Sequence, residues 1–232
     1  MELFATYVHR FQIGDDDLVT QIIDHIYEQR RISEAQVLEG SCNNISGSYS
    51  VRGHGSFHSK DDLAQLDTDW SKKLRALLYQ VSCDYWYHFT NATYSPVPDI
   101  DNVSIQCWGV ILNKGAISQA HSHPCCKLAG TMWLQVPERI GNKGDGGQFH
   151  DEGTFCVVDP RPAAHMDIAV GGEVCRIVPH EKKGVVFPNW LQHYVNPHYG
   201  DEDRISIAWN TEWNLDWWEK QNGEKDLRPN NT

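Results

Sequence analysis

The chain has 232 residues, 40% of them hydrophobic, and carries a net charge of −11. These values fit a globular protein with a real core, built as one large domain or two small ones. They exclude a membrane-spanning helix, since no apolar run approaches ~18 residues. They also argue against nucleic acid or an anionic membrane as partner, since no Lys/Arg cluster is long enough to track a row of phosphates. A small anion held by one or two well-placed cations stays compatible with the charge.

The opening MELFATYVHRFQIGDDD has no basic n-region, apolar h-region or small-residue cleavage site. A cytoplasmic location is therefore expected, and the sequons at Asn91 and Asn102 carry little weight. Residues 15–31, DDDLVTQIIDHIYEQRR, place Leu18, Ile22, Ile23, Ile26 and Tyr27 on one stripe. Acids lead that run and arginines close it, which suits the helix dipole. Residues 61–81, DDLAQLDTDWSKKLRALLYQV, repeat apolar side chains at spacings of three and four from Leu63 to Val81. Both runs predict amphipathic helices packed on a sheet. Residues 93–102, TYSPVPDIDN, read as a loop.

From Val103 onward the pattern changes to short strand-like runs separated by Gly, Pro and Asp. They are VSIQCWGVIL, GTMWLQVP, TFCVVD, MDIAV, EVCRIVP, GVVFP and RISIAWN. Runs at this spacing predict a sandwich or barrel. The expected organisation is a single domain over 1–232, with helical support in 1–100, a β core in 101–213 and a polar tail over 219–232.

Seven cysteines (Cys42, Cys83, Cys107, Cys125, Cys126, Cys156 and Cys175) with no CxxC pair point to reduced thiols. The chemistry concentrates elsewhere, beginning with GAISQAHSHP at residues 115–124. On a strand, positions i and i+2 share a face. His121 and His123 would then project together, and neutral imidazole is the commonest protein ligand for transition metals. Adjacent cysteines on a strand face opposite ways, so at most one of Cys125 and Cys126 could join them.

A third ligand is supplied by His193, which follows a strand-like run and a Pro-Asn turn. Arg204 and Ser206 come next, sharing a face by the same alternation. A guanidinium inside a β core is costly unless paired, and beside a hydroxyl it can cradle a carboxylate. An ion pair with Asp201, Glu202 or Asp203 at the strand mouth is the other way to satisfy it.

H-x-H, a distal histidine and R-x-S together resemble the Fe(II)/2-oxoglutarate-dependent oxygenases. The resemblance is sharpest to a 2OG-Fe(II) oxygenase family of marine bacteria and their phages. Its blocks are matched here by LFATYV, GSFHSKDDL, KGAISQAHSHPCCKLAGTMWL, VVDPRP and FPNWLQHYVNPHYGDEDRISIAWN. The resemblance implies a mainly β fold with N-terminal helices, a double-stranded β-helix of the jelly-roll, cupin-like barrel type. It implies Fe(II) on His121, His123 and His193, and 2-oxoglutarate on Arg204 and Ser206. It also implies oxidation of a small-molecule or peptide substrate, most simply hydroxylation, with release of succinate and CO2. The chain departs from the superfamily at His123, where an acid is usual; Asp151 or Glu152 in GGQFHDEGTF could supply one instead. Trp108, Trp133 and Trp190 are candidates to line the substrate side.

Two other readings stay open. Gly115 followed by H-x-H also fits the start of a cupin motif, and a cupin dioxygenase or isomerase would need no 2-oxoglutarate. A non-catalytic β-barrel binding module could hold the histidines on a structural zinc, with its fourth position closed.

Overall fold

The computed structural model describes residues 6–38, 56–60, 62–90, 99–138, 140, 151–161 and 173–213. Strand β1 (His9–Gln12) leads into helix α1 (Asp16–Leu38), whose start is set by Asp15 Oδ1 accepting the Leu18 N–H at 2.9 Å. The buried stripe is Leu18, Val19, Ile22 and Ile26. Tyr27 sits at its edge and donates its hydroxyl to Asp203. The helix runs past Arg31, because RISEAQVL contains no breaker and Arg30 pairs with Glu34 one turn on.

After β2 (Ser56–His58), the second predicted helix is shorter at its start and longer at its end than expected: α2 is Asp69–Thr90. The segment before it is pinned flat to the sheet. The Leu63 N–H donates to the Cys107 carbonyl at 3.0 Å, and Asp62 bridges to Cys107. The helix begins where Thr68 Oγ1 accepts the Ser71 N–H.

The remaining strands are β3 (Val103–Leu112), β4 (Ser118–His121), β5 (Leu128–Gln135), β6 (Phe155–Val158), β7 (Val174–Ile177), β8 (Lys183–Pro188), β9 (His193–Val195) and β10 (Arg204–Trp213). They form a six-stranded sheet in the order β1-β8-β5-β10-β3-β2 and a four-stranded sheet in the order β4-β9-β6-β7. All the pairings between these strands are antiparallel. The expected strand MDIAV and the polar tail lie outside the described residues.

Strand alternation divides the apolar residues into two cores. Ile205, Ile207 and Trp209 of β10 join Ile105, Cys107 and Ile111 of β3 in a core shared with α1 and α2. On the opposite face, Val110, Leu112, Trp133, Val185 and Phe187 meet Phe155, Val157, Ile177 and Val195 of the smaller sheet. Gly130 lets Trp209 lie against the backbone of β5, since a Cβ there would collide with the indole.

This is the mainly β, helix-supported jelly-roll arrangement expected, with one correction: the sheets do not close into a barrel. The physical reason lies at the edges of the larger sheet. β1 pairs with the free side of β8, and β2 pairs with that of β3. Among the described residues, both edges are therefore covered by N-terminal strands rather than by strands of the smaller sheet. Among these residues, no helix is long and apolar enough to cross a membrane.

Candidate metal centre and anion pocket

The three sequence-predicted histidines meet at one end of the cleft between the sheets. His121 is the last residue of β4 and stands directly opposite His193, the first residue of β9. His123 lies two residues beyond β4 rather than on it, so strand alternation alone does not aim it. Its position is fixed by its backbone N–H, which donates to Asn189 O at 2.9 Å. The Cys126 thiol, 3.4 Å from the His123 carbonyl, adds a second tie across the turn. Ring centroids are 4.3 Å apart for His121 and His193, and 5.1 Å for each of the other two pairs.

One potential ligand atom from each ring falls within 4.8 Å of the other two, and among the described His, Cys, Asp and Glu this is the cluster with such spacing. The outer hydrogen bonds decide which nitrogen faces inward. His121 Nδ1 meets the Gln119 carbonyl at 2.6 Å and His193 Nδ1 meets the Leu191 carbonyl at 2.9 Å. A carbonyl only accepts, so both Nδ1 atoms carry the proton. His123 Nδ1 meets Asn210 Oδ1 at 2.7 Å. All three Nε2 lone pairs are thus left inside the cluster, with those of His123 and His193 3.3 Å apart. Two lone pairs held that close repel unless a cation lies between them. The oriented outer bonds are those that metal-ligating histidines use.

Phe187 packs edge-on against His193, Phe155 lies 5.2 Å from the same ring, and Trp108 stacks on His123. His123 and His193 are buried, whereas His121 is exposed and marks the open side. Burial holds the inner rings neutral. The His123 pKa falls to about 4, chiefly by burial, with the Asn210 bond opposing. That of His193 falls to about 3, by burial first and then by the proximity of His121. His58, opposite Val110 in register, is lowered to about 4 by burial and then by His121.

These shifts set an acid limit for the metal-free protein. In the unfolded chain the rings titrate near 6.5, so below that pH the unfolded state takes up protons that the folded state refuses. Stability is fully present above pH 6.5 and is lost as pH falls towards 4. The loss is about 2 kcal/mol per ring at pH 5. Urea midpoints of protein kept in chelator should therefore drop clearly between pH 7.5 and pH 5.0, and equal midpoints would contradict neutral burial.

Arg204 and Ser206 open β10 and are 1% and 4% exposed. Two of the three neighbouring carboxylates are engaged elsewhere, and exposed Glu202 makes no ion pair with Arg204. Asp201 pairs with Lys114 at 2.7 Å, and Asp203 accepts from Asn113 and Arg30. Arg204 Nε is buried with no hydrogen-bond partner. Burial lowers its pKa to about 10, which still leaves it charged at neutral pH. Among the described residues no anion pairs with this buried cation, an arrangement that is costly and that fits an acidic ligand.

Asn210 is the residue that the sequence reading missed. It shares strand parity with Arg204 and Ser206, so RISIAWN puts all three on the inward face of β10. That periodicity was the available signal. Asn210→Ala should weaken metal binding about 10- to 100-fold, measured by Co(II) titration, with little change in thermal stability.

Asp151 is not part of the cluster; it pairs with Arg176 at 2.9 Å, and Glu152 does not enter the cluster either. Cys125 is exposed and Cys126 is turned to the His123 carbonyl, so neither thiol joins the histidines. Of the three tryptophans, Trp108 touches the cluster, Trp133 is buried on β5 opposite Ser206, and Trp190 is 52% exposed.

Residues 106–210 match the family described as "Putative 2OG-Fe(II) oxygenase". No curated protein matches the sequence. Among solved structures, the chain is similar to a prolyl-4-hydroxylase from Pseudomonas putida, with 18% identity over 89% of this chain and 93% of that one and a TM-score of 0.53. It is also similar to SnoN, a non-heme alpha-ketoglutarate-dependent epimerase from nogalamycin biosynthesis, with 14% identity, 89% and 78% coverage and a TM-score of 0.53. HygX from Streptomyces hygroscopicus, with nickel and 2-oxoglutarate bound, is similar at 11% identity, 89% and 83% coverage and a TM-score of 0.50. At these identities the likeness is one of fold.

Proposed function

We propose that the protein is an Fe(II)- and 2-oxoglutarate-dependent dioxygenase that hydroxylates a small-molecule or peptide substrate in the cytoplasm. The observation that carries this reading is the pairing of a convergent Nε2 trio with a buried guanidinium that has no carboxylate of its own. His121, His123 and His193 would hold the iron, and Arg204 with Ser206 would hold the far carboxylate of 2-oxoglutarate. Bound iron and 2-oxoglutarate supply the oxidising chemistry: dioxygen is consumed, 2-oxoglutarate leaves as succinate and CO2, and one oxygen atom enters a substrate C–H bond.

The chain contributes position and charge. Gln119 O, Leu191 O and Asn210 Oδ1 hold the three imidazoles with Nε2 inward, so the ligand set is oriented before metal arrives. Three neutral imidazoles add no negative charge, which leaves the metal and Arg204 to balance a dianionic co-substrate. Phe155, Phe187 and Trp108 exclude water from the inner side, while exposed His121 faces the approach. The motif blocks that resemble the marine bacterial and phage family support placing the protein in that narrower group.

A cupin dioxygenase without 2-oxoglutarate gives Arg204 nothing to bind, and a binding module gives the open His121 side no use. Anaerobic addition of Fe(II) and then 2-oxoglutarate tests the reading. A metal-to-ligand charge-transfer band is expected, followed by succinate on admission of air. Verified iron loading without the band or succinate would overturn the assignment.

A further inference from the structure

Trp133 brings a third buried polar group to the start of β10. It stands directly opposite Ser206 in the β10–β5 pair, and Arg204 precedes Ser206 by two residues on the same face. The pairing is irregular here: Ile205 faces Gln135 and Ser206 faces Trp133, so Leu134 is an extra residue on β5. A bulge of this kind re-aims the side chains beside it and is frequent next to active sites. Gln135 holds it in place by donating to the Asp203 carbonyl at 2.9 Å.

Trp133 is 2% exposed, and its indole N–H has no hydrogen-bond partner among the described residues. Arg204 Nε is in the same condition. Trp209 and Trp213 also leave an indole N–H unpartnered, but both lie in the core shared with the helices. Trp133 instead belongs to the inter-sheet core, on the face that carries the buried cation. Buried donors without an acceptor are rare. Indole and guanidinium both donate only, so neither can satisfy the other, whereas one carboxylate can accept from both. The ring also ties the pocket to the metal centre. Trp133 packs edge-on against Phe155 at 6.3 Å, and Phe155 lies 5.2 Å from the His193 ring.

We propose that the Trp133 indole N–H is the third donor of the anion pocket, binding the far carboxylate of 2-oxoglutarate with Arg204 and Ser206 and so selecting a dicarboxylic 2-oxo acid. The identity of the ligand rests on the oxygenase reading; the three-donor pocket does not. Two titrations keep these apart. In the first, glutarate, which has both carboxylates but no keto oxygen to chelate iron, is added to metal-free ¹⁵N-labelled protein. The Trp133 indole signal is identified by its loss in Trp133→Phe. A saturable shift of that signal is expected in wild type and none in Arg204→Met.

In the second, the charge-transfer band of anaerobic, iron-loaded protein is followed with 2-oxoglutarate and with 2-oxopentanoate, which lacks the far carboxylate. Trp133→Phe should weaken 2-oxoglutarate binding at least ~10-fold, as befits a hydrogen bond to a charged group. Affinities for 2-oxopentanoate and for iron should stay within about twofold, a contrast that a merely structural role would not produce. Trp133→Leu serves if Trp133→Phe folds poorly. An indole signal that glutarate does not move, or that still moves in Arg204→Met, would overturn the proposal. So would equal effects of Trp133→Phe on the two oxo acids. Absence of the band in iron-loaded wild type, with glutarate still moving the indole, would overturn the oxygenase reading and support the third donor.

Discussion

Arg204→Met should make the metal-free, ligand-free protein more stable while removing its hold on 2-oxoglutarate. The two effects share one cause. Arg204 is 1% exposed, its Nε has no partner, and the nearby acids Asp201 and Asp203 are committed to Lys114 and to Arg30 with Asn113. An uncompensated buried cation destabilises the fold, and an apolar side chain of similar length removes that burden; replacements of buried ions of this kind gain up to about 1–4 kcal/mol. With ligand present the sign reverses. Loss of one partner of a buried ion pair costs about 3–5 kcal/mol, so 2-oxoglutarate affinity should fall by at least ~100-fold with iron affinity unchanged. Thermal melts with and without 2-oxoglutarate, alongside the anaerobic titration, measure both. If Arg204→Met melted lower than wild type without ligand, the guanidinium would be a structural element and the anion pocket would lose its basis.

His193→Ala should abolish metal binding more completely than any change around the site. His193 is central by geometry: its ring is 4.3 Å from that of His121 and 5.1 Å from that of His123, and Phe155 and Phe187 both brace it. Loss of an oriented outer bond costs about 10- to 100-fold in affinity, and loss of the ligand itself should exceed the upper end of that range. Co(II) titration followed by its visible absorption reads this directly. Retained Co(II) affinity in His193→Ala, in a protein that still melts cooperatively, would mean that the three rings do not share one ion.

The helical stripes and most of the strands were legible in the chain because their periodicity is local. VSIQCWGVIL became β3 end to end, and RISIAWN became the first seven residues of β10. Helix ends were less legible. A hydrophobic run at helical spacing over 61–81 does not reveal that Leu63 is held to β3 by a backbone bond while the helix waits for the cap at Thr68. The short strands β1 and β2 carry four and three residues, too few to show a period. It is these two strands that cover the edges of the larger sheet and leave the jelly roll open.

The site divides the same way. Residue types and spacing singled out His121, His123 and His193, which the fold brings together, and Arg204 and Ser206, which it buries at the start of β10; ligand chemistry and strand parity are written in consecutive letters. Parity was a sound guide for Arg204 and Ser206, which lie within one strand, and an incomplete one for His123, which lies beyond the end of β4. Only the folded chain could show that Asn210 and two backbone carbonyls turn the three Nε2 atoms inward, and that Asp201 and Asp203 bind elsewhere. Those facts depend on which groups meet across the sheets. Contacts between residues dozens of positions apart follow from packing, which no local pattern encodes.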